Sequence, residues 1–357
     1  MFFILEFITE KKDSWDYLRE CDKPIFIYGM GDGALKIMTV MNRLGIALSG
    51  IFASDEFVRG HSFEGHKVHK LSEIENTVDD FVIVLAFAAG YQSLVDKIND
   101  IASRHTVIAP DVPVVNDGTV FGIEYCNKYE NELAAVYEML EDEESKKTFS
   151  DVINFRISGK IEYLNRCTTP KDDVYRNIIK PDENDIYVDL GAYRGDTVEE
   201  FLSFTPNGSC KEIYALEPDV KNFKKLEKTV EGLHNCHIFN AAAWDKDTVL
   251  TFANRAGRHS SLSDRGREVA ARSVDSILGD NACTVIKMDV EGAEREALLG
   301  SSRTIGRYAP KLMVSLYHRN EDIFSLPLLI KKLRPEYKFY IRHQLYIPAW
   351  ETNLYCI

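Results

Sequence analysis

The chain has 357 residues, of which 45% are hydrophobic and 28% charged, and a net charge of -13. That length predicts two domains rather than one core, and the composition is that of an ordinary globular protein. The acidic balance argues against a general nucleic-acid or anionic-membrane partner, because such binding relies on Lys and Arg meeting phosphates.

The opening segment, residues 1–8, is apolar but interrupted by Glu6 and lacks a basic leader, so it reads as part of a helical lead-in (1–21) and not as a signal peptide. No apolar run approaches the roughly 20 residues of a membrane helix. Seven cysteines, an odd number without a C-x-x-C pair, fit reduced thiols better than a disulfide framework or a zinc site. A cytoplasmic protein is expected.

Residues 22–115 alternate strand and helix patterns, which predicts a parallel sheet. A strand over 24–28 leads into Gly29-x-Gly31-x-x-Ala34, and Ala34, Ile37, Met38, Met41 and Leu44 then repeat at helical spacing. Further strands are expected over 48–53, 81–87 and 106–109, with a capping box at Ser72 and Glu75. The glycine turn fits the dinucleotide fingerprint, with Asp55 near the tip of the second strand where a ribose acid belongs. Such turns also occur in sheets that bind nothing, so Gly29, Gly31 and Asp55 are candidates for a nucleotide or nucleotide-sugar site or parts of a scaffold. Residues 116–180 read as a helical connector, with helices over 129–140 and 149–164 around a charged run at 141–147.

The last segment, 181–357, carries the strongest signal. A strand over 186–190 ends in Asp189-x-Gly191-x-x-x-Gly195, and Thr197 and Glu200 form a second capping-box pattern. Glu217 ends the next strand, 26 residues after Gly191. Glycines let the backbone approach a ligand, and an acid at the next strand tip can take both ribose hydroxyls. The spacing is looser than the one made for a pyrophosphate, which suggests a nucleoside without a diphosphate, S-adenosylmethionine above all. Strands follow over 237–243, 284–289 and 311–317. The last two, 337–342 and 353–357, are joined by too few residues for a parallel crossover and predict an antiparallel pair. Two doubly wound α/β domains are expected, the second with a mostly parallel sheet closed by one antiparallel strand.

The sequence from Tyr187 to Thr197, Ala215-Leu-Glu-Pro-Asp219 with Asn222 and Phe223, Asn240 to Asp245, Ile286-Lys-Met-Asp-Val-Glu-Gly-Ala-Glu294, Leu316 to Arg319 and Trp350 to Tyr355 resembles the FkbM-type methyltransferases. The resemblance covers most of 181–357 and extends to the connector at 140–147 and 155–159. It implies methyl transfer from S-adenosylmethionine to a hydroxyl of a sugar or natural product. Cofactor contacts are then expected from Asp189, Gly191, Ala192, Tyr193, Gly195, Thr197, Glu217, Pro218, Asn222, Asn240, Ala241 and Asp289. Asp189 and Gly191 would face the methionine moiety and Glu217 the ribose, while Asn240 is equally readable as a turn residue.

An alcohol acceptor must lose a proton, and His318, directly after the fifth strand, is the candidate base, with Asp289 orienting the sulfonium end or the acceptor. A solvated loop His is the plain alternative. Glu291 and Glu294 read as first-turn acids of the following helix. Asp289 and His318 could together hold a divalent metal, but no tight ligand cluster is legible and no metal is expected. Arg255, Arg258, Arg265, Arg267 and Arg272, opposed only by Asp264 and Glu268, form either a solvated loop or a lid for an anionic acceptor. The expected partner is a small-molecule or glycan acceptor. Rival readings are an NAD-linked sugar-modifying enzyme using the Gly29 turn, and a non-catalytic interaction module.

Overall fold

A computed structural model describes residues 5–112, 114–115, 119–252 and 267–357. The chain builds two parallel-dominated α/β sheets joined by helices. In the first sheet the strands are β1 (Ile25–Tyr28), β2 (Gly50–Ala53), β3 (Ser62–Phe63), β4 (His66–Lys70), β5 (Val82–Leu85) and β6 (Thr106–Ile108), in the order β3-β4-β2-β1-β5-β6. Apolar runs such as Val82 to Leu85 are buried at every position, as strands covered on both faces must be. All pairs are parallel except the β3–β4 hairpin, whose turn places Glu64 and Gly65 at φ 47° and 79°. Two such residues are what a tight hairpin requires. Helix Asp32–Leu44 packs Ala34, Ile37, Val40 and Met41 inward and ends at the left-handed Gly45.

The connector differs from its sequence reading. The helix expected over 149–164 is two helices, Glu143–Ser158 and Glu162–Cys167, broken at Gly159, whose φ is 70°. The charged run forms the first helix's start, with the Asp142 carboxylate accepting from Ser145 N at 2.8 Å. Neither capping box forms. Ser72 and Thr197 both lie inside their helices, and their hydroxyls donate to Asp55 and Asp189.

After the connector come β7 (Ile186–Leu190), β8 (Glu212–Leu216), β9 (Cys236–Phe239), β10 (Ala242–Ala243), β11 (Thr248–Phe252), β12 (Arg267–Arg272), β13 (Val285–Met288), β14 (Lys311–Ser315), β15 (Phe339–His343) and β16 (Thr352–Cys356). Seven of them form the sheet β15-β16-β14-β13-β7-β8-β9, in which β16 runs antiparallel to both β14 and β15. The strand expected over 237–243 divides at Asn240 and Ala241, which carries the chain out of this sheet into a small one ordered β10-β12-β11.

The two sheets share one interior. Phe26 and Ile83 from the first, Phe149 and Phe155 from the connector, and Val188 and Ile286 from the second belong to one buried cluster. Ala89 and Ile347 exchange backbone hydrogen bonds of 2.7 and 3.0 Å across the halves. Arg156 is the polar bolt of the junction. Its Nε and Nη2 donate to Asp111 Oδ2 at 3.0 and 2.9 Å, Nη2 also donates to Asn320 Oδ1 at 2.6 Å, and its guanidinium lies 3.9 Å from the Phe121 ring centre.

Removing one partner of a buried pair leaves the other charge without compensation. Asp111→Ala should therefore cost about 3–5 kcal/mol in urea unfolding. Lys12→Ala, which removes an exposed pair with Glu20, should stay within about 0.5 kcal/mol. Equal effects from the two substitutions would contradict the assignment.

Candidate active site

The carboxyl ends of β7, β8, β13 and β14 are neighbours at one edge of the sheet, the edge beyond which ligands bind in open α/β sheets. Gly191, at φ 85°, opens the turn after β7, and a Cβ there would lie 1.9 Å from the Asp289 carbonyl oxygen. The turn passes so close to the end of β13 that only glycine fits. Gly195, at φ 91°, is held against Thr229, which a Cβ would meet at 2.7 Å. Ala192 is buried and donates its N–H to Leu216 O, and Tyr193 adopts a left-handed φ of 49°.

That conformation aims the Tyr193 N–H at Glu217 Oε2, 3.0 Å away, while Asp219 N donates to Glu217 Oε1 at 2.8 Å. Glu217 is buried at the tip of β8, and burial outweighs these two bonds, so its pKa is pushed up to about 7. Pro218 carries the chain from Glu217 to Asp219, and Asp219 caps the next helix by accepting from Lys221 N and Asn222 N. The Asn240 amide donates to the Glu217 and Pro218 carbonyls, a turn brace, and Ala241 is buried beside it.

Asp189 departs from its expected role facing the cofactor. It is fully buried, and both oxygens are committed: Oδ2 accepts from Thr197 Oγ1 at 2.5 Å and Oδ1 from Lys287 Nζ at 3.3 Å. Lys287 stands opposite Asp189 in the β13–β7 register. Burial alone would lower its pKa, but the Asp189 and Asp289 carboxylates outweigh burial and raise it. This ammonium was missed in the sequence because only the pairing of strands 98 residues apart gives it a partner.

At the far edge, Asp289 is still 31% exposed. Burial works against its charge, yet Lys287, His318 and the Tyr317 hydroxyl, 3.2 Å from Oδ1, hold its pKa below the usual carboxylate range. His318 is not placed as a base. It is 1% exposed, with Nδ1 2.9 Å from Glu294 Oε1 and Nε2 3.5 and 3.6 Å from Asp289 and Glu291. Burial would lower its pKa, but these carboxylates lift it to about 10. Glu294 accepts the Val290 N–H at 2.8 Å and is itself 1% exposed.

The remaining candidates fall elsewhere. Gly29 and Gly33 are explained by packing, since Cβ atoms there would meet Phe87 at 2.5 Å and the Ala86 carbonyl at 2.4 Å. Gly31 needs no side-chain space but sits at φ 113°. The first-turn Asp32, paired with Lys36, places a negative charge where a dinucleotide pyrophosphate would bind. Asp55 accepts from Ser72 and lines a cleft of about 220 Å³ with Tyr28, Phe52 and Leu71. Arg255, Arg258, Asp264 and Arg265 lie outside the described residues, and Arg272 pairs with Asp247 at 2.9 Å.

Residues 189–343, which hold Asp189, Glu217, Asp289 and His318, match the family model described as methyltransferase FkbM domain. This segment is similar to FkbM methyltransferase domains. The fold of the chain is similar to the crystal structure of a methyltransferase FkbM from Methylobacillus flagellatus KT, with a TM-score of 0.73 at 22% identity. That likeness covers 94% of this chain and 90% of the other, so it takes in the first sheet and the connector as well as this segment. Weaker likenesses include an rRNA methylase from Streptococcus thermophilus (TM-score 0.34, 12% identity, 52% of this chain and 92% of that one). Aeropyrum pernix fibrillarin in complex with S-adenosyl-L-methionine gives a TM-score of 0.33 at 12% identity, over 49% of this chain and 67% of that one. No curated protein matches the chain.

The raised pKa of Glu217 has a stability consequence of definite sign. The folded chain holds the proton up to about pH 7, whereas the unfolded chain releases it near 4.3. Above that lower value the folded state binds more protons than the unfolded one, so stability falls as pH rises through this window. Between pH 5 and pH 8 the wild type should lose roughly 2–3 kcal/mol relative to Glu217→Gln in urea unfolding. A difference that stays flat or grows in favour of the wild type would contradict the buried-acid reading.

Proposed function

We propose that the chain is an S-adenosylmethionine-dependent methyltransferase that methylates a hydroxyl of a sugar, nucleotide-sugar or related metabolite. The observation that carries the reading is Glu217. Its carboxylate stands at the tip of β8, fixed by two backbone N–H groups, one of them from the glycine turn itself. The residues present fit the cofactor. A turn pinned by Gly191 and Gly195 leaves backbone beside the crevice, and a pre-oriented carboxylate is suited to a pair of ribose hydroxyls. When bound, S-adenosylmethionine supplies a methyl group activated on a sulfonium.

The protein's own part is positioning. Lys287 and Asp189 fix the turn from below, and Asp289 offers a carboxylate to orient the acceptor at the edge of the crevice. Holding two reactants in line removes much of the barrier to a displacement. The acceptor class rests on the family resemblance and on the Arg-rich segment 255–272, whose guanidinium groups would suit a phosphate-bearing acceptor. A cytoplasmic location remains the reading. Among the described residues no helix is long and apolar enough to cross a membrane.

Two measurements test this. Calorimetric titration with S-adenosylmethionine should show binding by the wild type and at least tenfold weaker binding by Glu217→Ala. Equal affinities, or tight NAD binding with none for S-adenosylmethionine, would overturn the proposal. Isotope-labelled methyl transfer into a glycan and metabolite extract, read by mass spectrometry, should label a hydroxyl-bearing carbohydrate. With that acceptor, Arg258→Ala and Arg265→Ala should raise KM several-fold and leave kcat nearly unchanged if the acceptor is anionic; unchanged KM values would remove the lid.

A further inference from the structure

The acceptor edge of the crevice contains an arrangement that methyl transfer alone does not explain. Asp289, Glu294 and His318 each offer one ligand atom, and the three atoms lie within 4.8 Å of one another. Glu294 and His318 are each 1% exposed. Glu294 Oε1 lies 2.9 Å from His318 Nδ1, while Glu294 Oε2 is buried without a hydrogen-bond partner. An unpartnered buried carboxylate oxygen is costly unless something satisfies it.

Each residue offers one ligand atom, and on the imidazole Nε2 is the nitrogen that faces the more exposed acids. His318 Nε2 is 3.5 Å from Asp289 Oδ1 and 3.6 Å from Glu291 Oε2. These gaps are too long for hydrogen bonds. They are close to the roughly 3.0–3.5 Å that separates neighbouring donors around an ion with bonds of about 2.1 Å. Glu291 is 48% exposed and Asp289 31%, so the cluster opens toward the crevice on one side and is closed on the other.

We propose that Asp289, Glu294 and His318 bind a divalent metal cation at the acceptor edge, with Glu291 closing its open side. One imidazole with several carboxylates is a mixed nitrogen and oxygen set, which suits manganese and its neighbours better than calcium or a thiophilic ion. The cation takes the place of the imidazole's second proton and satisfies the orphaned Glu294 oxygen. Its remaining positions face the crevice, where an alcohol oxygen bound to it would be oriented and made more acidic. That last role rests on the methyltransferase reading; the binding itself does not.

The test uses the full chain, stripped with a chelator, and Mn²⁺ alone. Electron paramagnetic resonance should show one Mn²⁺ taken up per chain at micromolar concentrations. Asp289→Asn and Glu294→Gln should each weaken uptake at least tenfold, and Glu291→Gln several-fold. Far-ultraviolet circular dichroism separates lost ligation from lost folding, and Asp289→Asn, at the half-exposed position, carries the test if Glu294→Gln does not fold. Mn²⁺ that stays free up to millimolar concentration, or uptake unchanged in folded Asp289→Asn, would overturn the site. S-adenosylmethionine titration of the stripped chain reports separately on the methyltransferase reading.

Discussion

Lys287 stands opposite Asp189 across the β13–β7 pair, its ammonium pairs with Asp189, and its charge also acts on Asp289. Two carboxylates at the mouth of one crevice repel each other, and in a partly buried setting that repulsion is screened little. The lysine relieves it from beneath. Asp189, fully buried beside the ammonium, holds Thr197 and fixes the helix that follows the glycine turn. Asp289, at the tip of the lysine's own strand, is held below the usual carboxylate range by the same ammonium.

Closeness of backbone does the rest. The turn after β7 approaches the end of β13 until Gly191 touches the Asp289 carbonyl, and the same turn delivers its Tyr193 N–H to Glu217 on β8. Three neighbouring strands are therefore tied at their tips through one short segment. Shifting any one of them moves the glycine turn, the strand-tip acid and the acceptor-edge carboxylate together. Such mutual constraint is how a rigid scaffold holds groups to the tolerance that a positioned reaction needs.

Much of this was legible from sequence, for reasons that differ by residue. The strands were readable because runs such as Val82 to Leu85 are apolar throughout, and the antiparallel finish followed from the short connection before β16. Glu217 was readable because an acid at a strand tip after a glycine turn has a local signature. The surroundings of Asp189 and His318 were not readable, because they come from distant segments: Lys287 for the first, Glu294 and Asp289 for the second. The capping boxes failed similarly, since Thr197 and Ser72 found carboxylates elsewhere that compete with the local backbone.

The junction between the sheets bears on more than stability. Val115, on the chain leaving the first sheet, donates its N–H to the His318 carbonyl at 2.9 Å, and its side chain fills the space beside Gly292. Two residues beyond His318, Asn320 is gripped by Arg156. The acceptor edge is thus walled in part by backbone from the other half of the molecule. By thermodynamic linkage, any ligand whose binding moved the first sheet's exit segment would alter affinity beside His318, and the reverse effect would be equal.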